Sequence, residues 1–436
     1  MNLSALFTAH IEIRQRKLAE ALEATGFDAL IVSSGEPHIY FADDRQAPFC
    51  PVAHFAHWCP MRGPFHLLRL APGSKPLLIR HAPEDYWYEP ARLDEPFWLS
   101  QFELEEAATP HGVWRRIGRP TNTAYVGNET QRAEAAGLAV NPEELLSRLD
   151  WERAYKTEYE IASLEEASAL GAKGHAAARK TFEAGGSELD IHNAFVIAVG
   201  VTEEELPYTT IVALDEKAAF LHYEAKRTVA HGRVLLIDAA AQMRGYAADI
   251  TRTHVAADCD PRFVSLRDGM EKLQQELCRE VRPGANFLEL HLLAHHKVAG
   301  LLADCGILKA DAEEATVKGW SAPFLPHGLG HHLGLQVHDV GGHLKSPDGA
   351  KMPPPPEHPF LRNMRPIERG QVFTMEPGLY FIDMLLRPFR QGDDASRFDW
   401  KLIDELSPYG GIRIEDDVVV TEHGHRNLTR QFLPIR

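Results

Sequence analysis

A β-hairpin is predicted by residues 234–257, VLLIDAAAQMRGYAADITRTHVAA. The apolar run at the start of this stretch indicates a buried strand, and Gly245 indicates a short turn before a second strand. If Met243 and Arg244 are the two turn residues, opposed residues have numbers that sum to 487, which places Asp238 opposite Asp249 in the second strand. Because two facing carboxylates repel, the hairpin predicts an ion-pair partner or a metal cation beside them.

The length and charge of the chain limit the classes of protein to which it can belong. Its 436 residues exceed one ordinary core, so we expect two domains, at residues 1–153 and 154–436. The formal net charge of −16 argues against nucleic acid as a partner, because phosphate binding needs a basic surface. The excess of carboxylates is compatible with a site for divalent cations.

Cysteine usage and hydropathy predict a cytoplasmic protein. The five cysteines are odd in number and lack CxxC spacing, which favours reduced thiols over disulfides or a cysteine-ligated zinc. The first 22 residues form an amphipathic pattern without the apolar core of a secretory signal. No stretch approaches the length of a membrane span, so we expect no membrane interaction.

Residues 1–153 alternate helix and strand signals, which predicts a small α/β domain. A helical pattern ends at Gly26, and short apolar runs at residues 29–32, 77–79 and 124–126 indicate strands. Neither a GxGxxG sequence nor a P-loop is present, so nucleotide binding is not supported.

The second domain begins with a helical pattern at residues 156–182 and contains a weak internal repeat. GGSELDIH at 185–192 resembles GANFLELH at 284–291. If the repeat is genuine, the domain consists of two related halves of helices and antiparallel strands; chance similarity is the alternative. Residues 372–376 and 411–415 are further predicted strands, and the second places Arg413 and Glu415 on one face.

Three further segments could supply metal ligands to the hairpin aspartates. HGLGHHLGLQVH at 327–338 contains four histidines among glycines, and neutral imidazole is a common ligand. Glu376 and Glu415 each end an apolar strand pattern, where a buried carboxylate needs a cation. Taken singly, each feature could also be a solvent-exposed loop or strand end, and Asp416 and Asp417 are expected to face solvent.

Together these residues form a set of two aspartates, one histidine and two glutamates. Carboxylates can bridge two divalent ions about 3.5–4 Å apart that activate a shared hydroxide. One imidazole among four carboxylates favours Mn²⁺, with Co²⁺ or Zn²⁺ as alternatives, over a purely oxygen-bound ion.

In order and spacing, these motifs resemble the metal-ligand set of the pita-bread metallopeptidases. The resemblance implies that the metal ligands are Asp238, Asp249, His331, Glu376 and Glu415. The greatest resemblance within this superfamily is to the bacterial Xaa-Pro dipeptidases, or prolidases, which are related to the organophosphorus acid anhydrolases. It extends over nearly the whole chain and includes FADDRQAPF at 41–49, PHGLGHHLGLQVHDVGG at 326–342 and FLRNMRP at 360–366. The resemblance implies an α/β N-terminal domain followed by an α+β pita-bread catalytic domain.

The resemblance also implies roles for individual residues. Glu376 would act as general base and acid, and His222 and His338 would contact the substrate peptide and stabilise the scissile carbonyl. Arg362 would hold the carboxylate of the C-terminal proline, and Arg413 would support the metal ligands. The remaining residues expected at the substrate site are His327, Tyr208, Asp43 and Asp44. Asp43 or Asp44 would reach the site of a partner subunit, which implies a homodimer.

The predicted activity is hydrolysis of Xaa-Pro dipeptides, with phosphotriester hydrolysis as a side reaction of the same hydroxide. An aminopeptidase P acting on longer Xaa-Pro peptides is the alternative enzyme. A non-catalytic peptide-binding module of the same fold is the alternative of another class, but such relatives typically lack ligands that are present here.

Overall fold

The computed structural model describes residues 2–87, 89, 93 and 96–434. The chain forms two compact units. The first contains Met1–Arg153, Thr157–Glu160 and Leu344–Lys351, and the second contains Ala154–Lys156, Ile161–His343 and Met352–Arg436. Among the described residues, no helix combines the length and the apolar character that crossing a bilayer requires.

The first unit is an α/β structure around one mixed sheet. Its helices are α1 (Leu3–Thr25), α2 (Ala53–Ala56), α3 (Pro110–Arg115), α4 (Thr130–Ala135) and α5 (Glu143–Arg153). Its strands are β1 (Ala29–Ser33), β2 (Leu67–Leu70), β3 (Leu77–His81), β4 (Glu103–Ala107), β5 (Thr123–Val126) and β6 (Ala139–Val140). The sheet order is β4-β3-β2-β1-β5-β6, with β1 antiparallel to β2 and parallel to β5.

The three strands predicted from short apolar runs are confirmed as β1, β3 and β5, and every residue of β1 is buried. The predicted end of the first helix is also confirmed. Gly26 adopts a left-handed conformation with φ 73°, and its backbone N–H caps the end of α1. Glycine tolerates this conformation without a steric penalty, which explains why the helical pattern stops there.

The second unit combines long helices with small antiparallel sheets. Its helices are α6 (Glu158–Glu183), α7 (Glu188–Val199), α8 (Pro261–Arg279), α9 (Phe287–Asp304), α10 (Ala312–Val317), α11 (Asp383–Gln391) and α12 (Trp400–Leu406). Its strands are β7 (Ile211–Leu214), β8 (Val234–Asp238), β9 (Gln242–Met243), β10 (Tyr246–Ala247), β11 (Thr251–Val255), β12 (Val372–Met375), β13 (Gly378–Tyr380), β14 (Gly411–Arg413), β15 (Asp416–Val420) and β16 (His425–Asn427). The α6 range begins among residues that group with the first unit.

Two three-stranded sheets, β11-β8-β7 and β12-β15-β16, and the pair β13-β14 carry the residues of the candidate site. Both glycine-to-cap turns of the internal repeat are present, because Ser187 caps α7 and Asn286 caps α9 through their side chains. Helices α8 and α9 pack on the second sheet through a core that includes Phe263, Phe287 and Phe373.

The predicted hairpin forms, but its register is shifted by two residues. Arg244 and Gly245 are the turn residues, with φ 55° and 87°, so Asp238 lies opposite Thr251 and not opposite Asp249. Two positive φ values suit a type I′ turn, and a glycine at its second position favours this placement over Met243-Arg244. Asp249 therefore lies just before β11. Side chains alternate between the two faces of a strand, so a register shift of two residues keeps each side chain on the same face. The carboxylates of Asp238 and Asp249 therefore still lie on one side of the hairpin.

The histidine-rich segment runs beside β12 as an extra, irregular strand. The backbone N–H of Thr374 donates to the carbonyl of His331 at 3.0 Å, and that of Glu376 donates to Leu329 at 2.9 Å. A Cβ on Gly330 would lie 2.0 Å from the carbonyl oxygen of Thr374. Glycine at 330 is therefore what allows the backbone to approach β12 closely enough to hold His331.

Candidate metal centre and active site

Five predicted ligands lie at the ends of elements of the second unit. Asp238 is the last residue of β8, Asp249 precedes β11, Glu376 follows β12, and Glu415 stands between β14 and β15. His331 lies in the segment beside β12. Asp238, Asp249, His331 and Glu415 are buried, with 9%, 5%, 3% and 2% exposure, and Glu376 is partly buried. The structure thus buries four of the five and leaves Glu376 partly exposed.

The two hairpin aspartates share one hydroxyl. The Tyr208 hydroxyl lies 2.7 Å from Oδ1 of Asp238 and 2.7 Å from Oδ1 of Asp249. A hydroxyl carries one proton, so it can donate to only one of the two carboxylates at a time. The space between the carboxylates is therefore short of positive charge.

His331 joins this pair from the opposite sheet. Its Nδ1 lies 3.0 Å from the carbonyl oxygen of His332, which directs Nε2 toward the carboxylates. Nε2 is 3.5 Å from Oδ2 of Asp249 and 3.4 Å from Oε1 of Glu376. One ligand atom from each of Asp249, His331 and Glu415 falls within 4.8 Å of the others. That grouping suits a metal ion after small side-chain movements.

The electrostatics of the cluster also suit divalent cations. Burial, together with the charges of neighbouring carboxylates, raises the pKa of Glu415 well above its usual value and that of Glu376 to about 7. Burial also raises the pKa of Asp238, against the opposing charge of Arg413. His331 shows the reverse effect, because Asp249 and Glu376 outweigh burial and raise its pKa to about 9. Three buried carboxylates and one partly buried carboxylate, together with one imidazole, therefore fit a hard or borderline divalent metal.

Arg413 supports the cluster through all its nitrogens. It donates to Asp238 Oδ2 at 2.6 Å, to the Tyr380 hydroxyl at 3.0 Å and to Thr251 Oγ1 at 3.1 Å. The Tyr380 hydroxyl in turn lies 2.9 Å from Nε2 of His327. Arg413 thus orients Asp238 and connects it to His327, whose Nδ1 is 3.9 Å from Glu376.

The other predicted substrate residues of the second unit surround the cluster. His338 is exposed, and its ring lies edge-on to His331 with 4.3 Å between centroids. Burial of part of the ring and the charges of His331, Arg362 and His222 lower the pKa of His338 to about 4. Arg362 and His222 are themselves exposed. The structure therefore brings these side chains close enough to interact electrostatically.

Asp43 and Asp44 lie in an exposed turn of the first unit. Oδ1 of Asp43 accepts hydrogen bonds from the backbone N–H groups of Asp44 at 2.8 Å and Arg45 at 3.1 Å. These bonds fix the turn and leave the side chain of Asp44 on its surface. Their role toward a partner subunit stays a prediction.

The expectation that Asp416 and Asp417 face solvent is wrong, since both are fully buried in β15. The two oxygens of Asp417 each lie 3.2 Å from the backbone nitrogen of Asp249, and Ser168 donates to Oδ2 at 3.2 Å. Asp417 therefore positions the loop that carries Asp249. Asp417 and Tyr380 are contributors to the site that were absent from the predicted set. Alternate residues of a strand lie on one face, so the spacing Arg413, Glu415 could have indicated Asp417. Counting in twos from Glu376 could likewise have indicated Tyr380.

Family models match both parts of the chain. Residues 162–422 match Metallopeptidase family M24, and residues 5–151 match the N-terminal domain of Xaa-Pro dipeptidase. The first match covers more than half of the sequence. The chain belongs to metallopeptidase family M24. The predicted family and the predicted combination of an α/β and a pita-bread domain are confirmed.

Members of this family with curated names match from end to end. The chain is 41% identical to a Xaa-Pro dipeptidase of Proteus mirabilis and 42% identical to one of Pseudoalteromonas translucida, over 99% of each chain. Among solved structures, proline aminopeptidase P II from Yersinia pestis is similar at TM-score 0.72 and 24% identity, covering 96% of both chains. Pseudomonas aeruginosa aminopeptidase PepP has TM-score 0.75 and 21% identity, covering 98% of this chain and 96% of the other. The structural matches establish the fold alone.

Proposed function

We propose that the protein hydrolyses Xaa-Pro dipeptides with a C-terminal proline. The observation that carries this proposal is the convergence of Asp249, His331 and Glu415 within ligand distance, in a chain about two-fifths identical to named Xaa-Pro dipeptidases. Asp238, which shares the Tyr208 hydroxyl with Asp249, and Glu376, which lies beside His331, complete the same cluster.

Two divalent ions, most favourably Mn²⁺, would be held by the five predicted ligands, Asp238, Asp249, His331, Glu376 and Glu415. When bound, they would supply Lewis-acid activation of the attacking hydroxide and of the scissile carbonyl. Arg413 keeps Asp238 oriented, and the carbonyl of His332 keeps Nε2 of His331 directed inward.

Proton transfer falls to Glu376. It lies at the open edge of the cluster, partly exposed, where it can take a proton from the attacking water and pass it to the prolyl nitrogen. His338 and His222 stand at the accessible side of the cluster, where they can donate to the substrate carbonyl and peptide.

Selection for a dipeptide requires recognition of the product carboxylate. Arg362 is exposed beside His338 and can offer two parallel N–H groups to a carboxylate. A longer peptide has an amide at that position instead. A homodimer, in which Asp43 or Asp44 reaches the neighbouring site, is part of the proposal.

The proposal is tested by assaying Ala-Pro and an Ala-Pro-Xaa tripeptide with metal-free and Mn²⁺-loaded protein. We expect cleavage of Ala-Pro only after Mn²⁺ loading. Arg362→Ala should raise KM for Ala-Pro more than it lowers kcat, whereas Arg369→Ala, which removes another exposed arginine, should change neither. Cleavage of the tripeptide without cleavage of Ala-Pro would indicate the aminopeptidase P alternative. No cleavage of either would favour the binding module.

A further inference from the structure

Three histidines of the second unit form a cluster that the proposed reaction does not use. His291 and His295 are one turn apart on α9, and His358 lies in the segment after the proline run at 353–356. The ring centroids are 4.7 Å apart for His291–His295, 4.5 Å for His291–His358 and 5.0 Å for His295–His358. Positions i and i+4 share one helix face, so two of these rings are presented together by the helix itself.

The nitrogen atoms of the cluster already approach the geometry of a metal site. One ring nitrogen from each histidine lies within 4.8 Å of the other two. Nε2 of His291 and Nδ1 of His358 are 3.0 Å apart. A tetrahedral zinc site with Zn–N bonds of about 2.0–2.1 Å separates its ligand nitrogens by about 3.3–3.4 Å. Small rotations of the rings would therefore be enough to bind an ion.

The surroundings hold the rings in place and keep them neutral. Nδ1 of His295 is 3.1 Å from Oγ of Ser321, a buried contact that orients its Nε2. Nδ1 of His291 is buried without a hydrogen-bond partner. Burial and the neighbouring imidazoles lower the pKa of His291 to about 2 and that of His295 to about 4. A metal would not have to displace protons from charged rings.

The donor set differs from that of the five-ligand cluster. It contains imidazoles alone, which suit Zn²⁺, Cu²⁺ or Ni²⁺, whereas carboxylates suit Mn²⁺. His358 is partly exposed, so a solvent molecule can reach the fourth position. We propose that His291, His295 and His358 form a second metal site of this protein, for an imidazole-preferring divalent ion such as Zn²⁺. Occupancy would link α9 to the segment that continues to Arg362.

The test counts Zn²⁺ bound to the whole chain of 436 residues. Asp249→Asn weakens the five-ligand cluster, and bound Zn²⁺ is then measured by equilibrium dialysis. We expect one Zn²⁺ per chain in this background. Adding His291→Gln or His358→Gln should weaken its binding about 100-fold, since each removes one of three ligands. His296→Gln is the matched control, because His296 is an exposed neighbour on the same helix.

Cu²⁺ binding provides a second measurement, because a cluster with a purely structural role would give no Cu²⁺ spectrum with nitrogen coupling. The electron paramagnetic resonance spectrum of the Cu²⁺-loaded Asp249→Asn protein should show coupling to three nitrogens, reduced in the His358→Gln variant. His358 is partly exposed, so this variant should fold even if His291→Gln does not. Two results would overturn the proposal: Zn²⁺ binding that is the same in all variants, or a loss in the His296→Gln control as large as that in His291→Gln or His358→Gln. Either result would show that the cluster is only a set of hydrogen-bonded imidazoles. Dipeptide hydrolysis is assayed separately and does not decide this result.

Discussion

Glu415 and Asp416 are consecutive, fully buried carboxylates whose pKa values shift in opposite directions. The pKa of Glu415 is raised well above its usual value by burial and by Asp249, Glu376 and Asp238. The pKa of Asp416 falls to about 2, because Arg252 and Arg430 outweigh the effect of burial. The two side chains lie on opposite sides of the same chain segment.

The contacts explain the difference. Asp416 accepts from Arg252 at 2.7 Å, Arg430 at 2.6 Å, Asn427 at 2.8 Å and Gln274 at 2.9 Å. Glu415 accepts from the neutral hydroxyl of Thr251 at 2.6 Å and faces other carboxylates. On one side the protein itself supplies the counter-charges. On the other it leaves a deficit of positive charge, which is what a metal-binding site requires.

The largest expected effect is that of Glu415→Gln on activity. Loss of a proposed metal ligand should lower kcat/KM for Ala-Pro by at least about 10³-fold, which is about 4 kcal/mol. The thermal midpoint of the metal-free protein should stay the same or rise, because a repelling charge is removed. Steady-state kinetics and calorimetry on the same preparation test both statements. Full activity with Mn²⁺ would show that Glu415 is not a metal ligand.

Asp416→Asn should show the opposite profile. It leaves Arg252 and Arg430 without their shared counter-ion, and breaking a buried ion pair costs about 3–5 kcal/mol. We expect about 3 kcal/mol, because Arg430 retains Glu271 and Arg252 retains two backbone carbonyls. Urea denaturation measures the loss in stability. A variant as stable as the wild type would show that the arginines do not require this carboxylate.

Arg413→Lys tests how far the proposed metal ligands depend on the arginine that contacts Asp238. Lysine has one nitrogen and cannot contact Asp238, Tyr380 and Thr251 together. Altered support of a ligand typically costs about 10–100-fold in metal affinity, and we expect a loss of Mn²⁺ affinity in that range. Mn²⁺ titration followed by activity measures it. Arg426→Lys is the control, since Arg426 forms a partly exposed ion pair with Glu165.

The smallest expected effect concerns His175 on α6, which donates to the carbonyl of Ala239, the residue after Asp238, at 2.8 Å. Burial and the charge of Arg252 lower its pKa to about 3. A depressed histidine pKa means that its contribution to stability is complete above the unfolded value of 6.5 and declines as pH falls toward 3.

His175→Gln should therefore reduce the pH dependence of the unfolding free energy between pH 6 and 4 by about 1.4 kcal/mol per pH unit. Glutamine can still donate to the Ala239 carbonyl, which limits other changes. Denaturation at several pH values, with His231→Gln as an exposed control, measures the difference in slope. Parallel curves for His175→Gln and wild type would show that His175 is protonated in the folded protein.

Local patterns were sufficient to predict much of the fold. Apolar runs located β1, β3, β5, β8 and β12, because a buried strand requires such runs whatever surrounds it. The turn was placed one residue too early, since either Met243-Arg244 or Arg244-Gly245 could follow the apolar run. Only the paired strands show that Arg244 and Gly245 adopt positive φ.

The sequence alone determined the family and which residue types could bind metal, because the order and spacing of motifs along the chain can be recognised without knowing any distance in space. The tertiary structure decided which buried carboxylates lie beside arginines and which lie beside other carboxylates. Glu415 and Asp416 look alike in the sequence, yet Arg252, Arg430 and Gln274 reach Asp416 from elements more than 10 residues away. Electrostatic compensation depends on distances in space, and neighbours in the chain do not reveal it. For the same reason the sequence did not reveal the three-histidine cluster, because His291 and His358, which are in contact, are 67 residues apart in the chain.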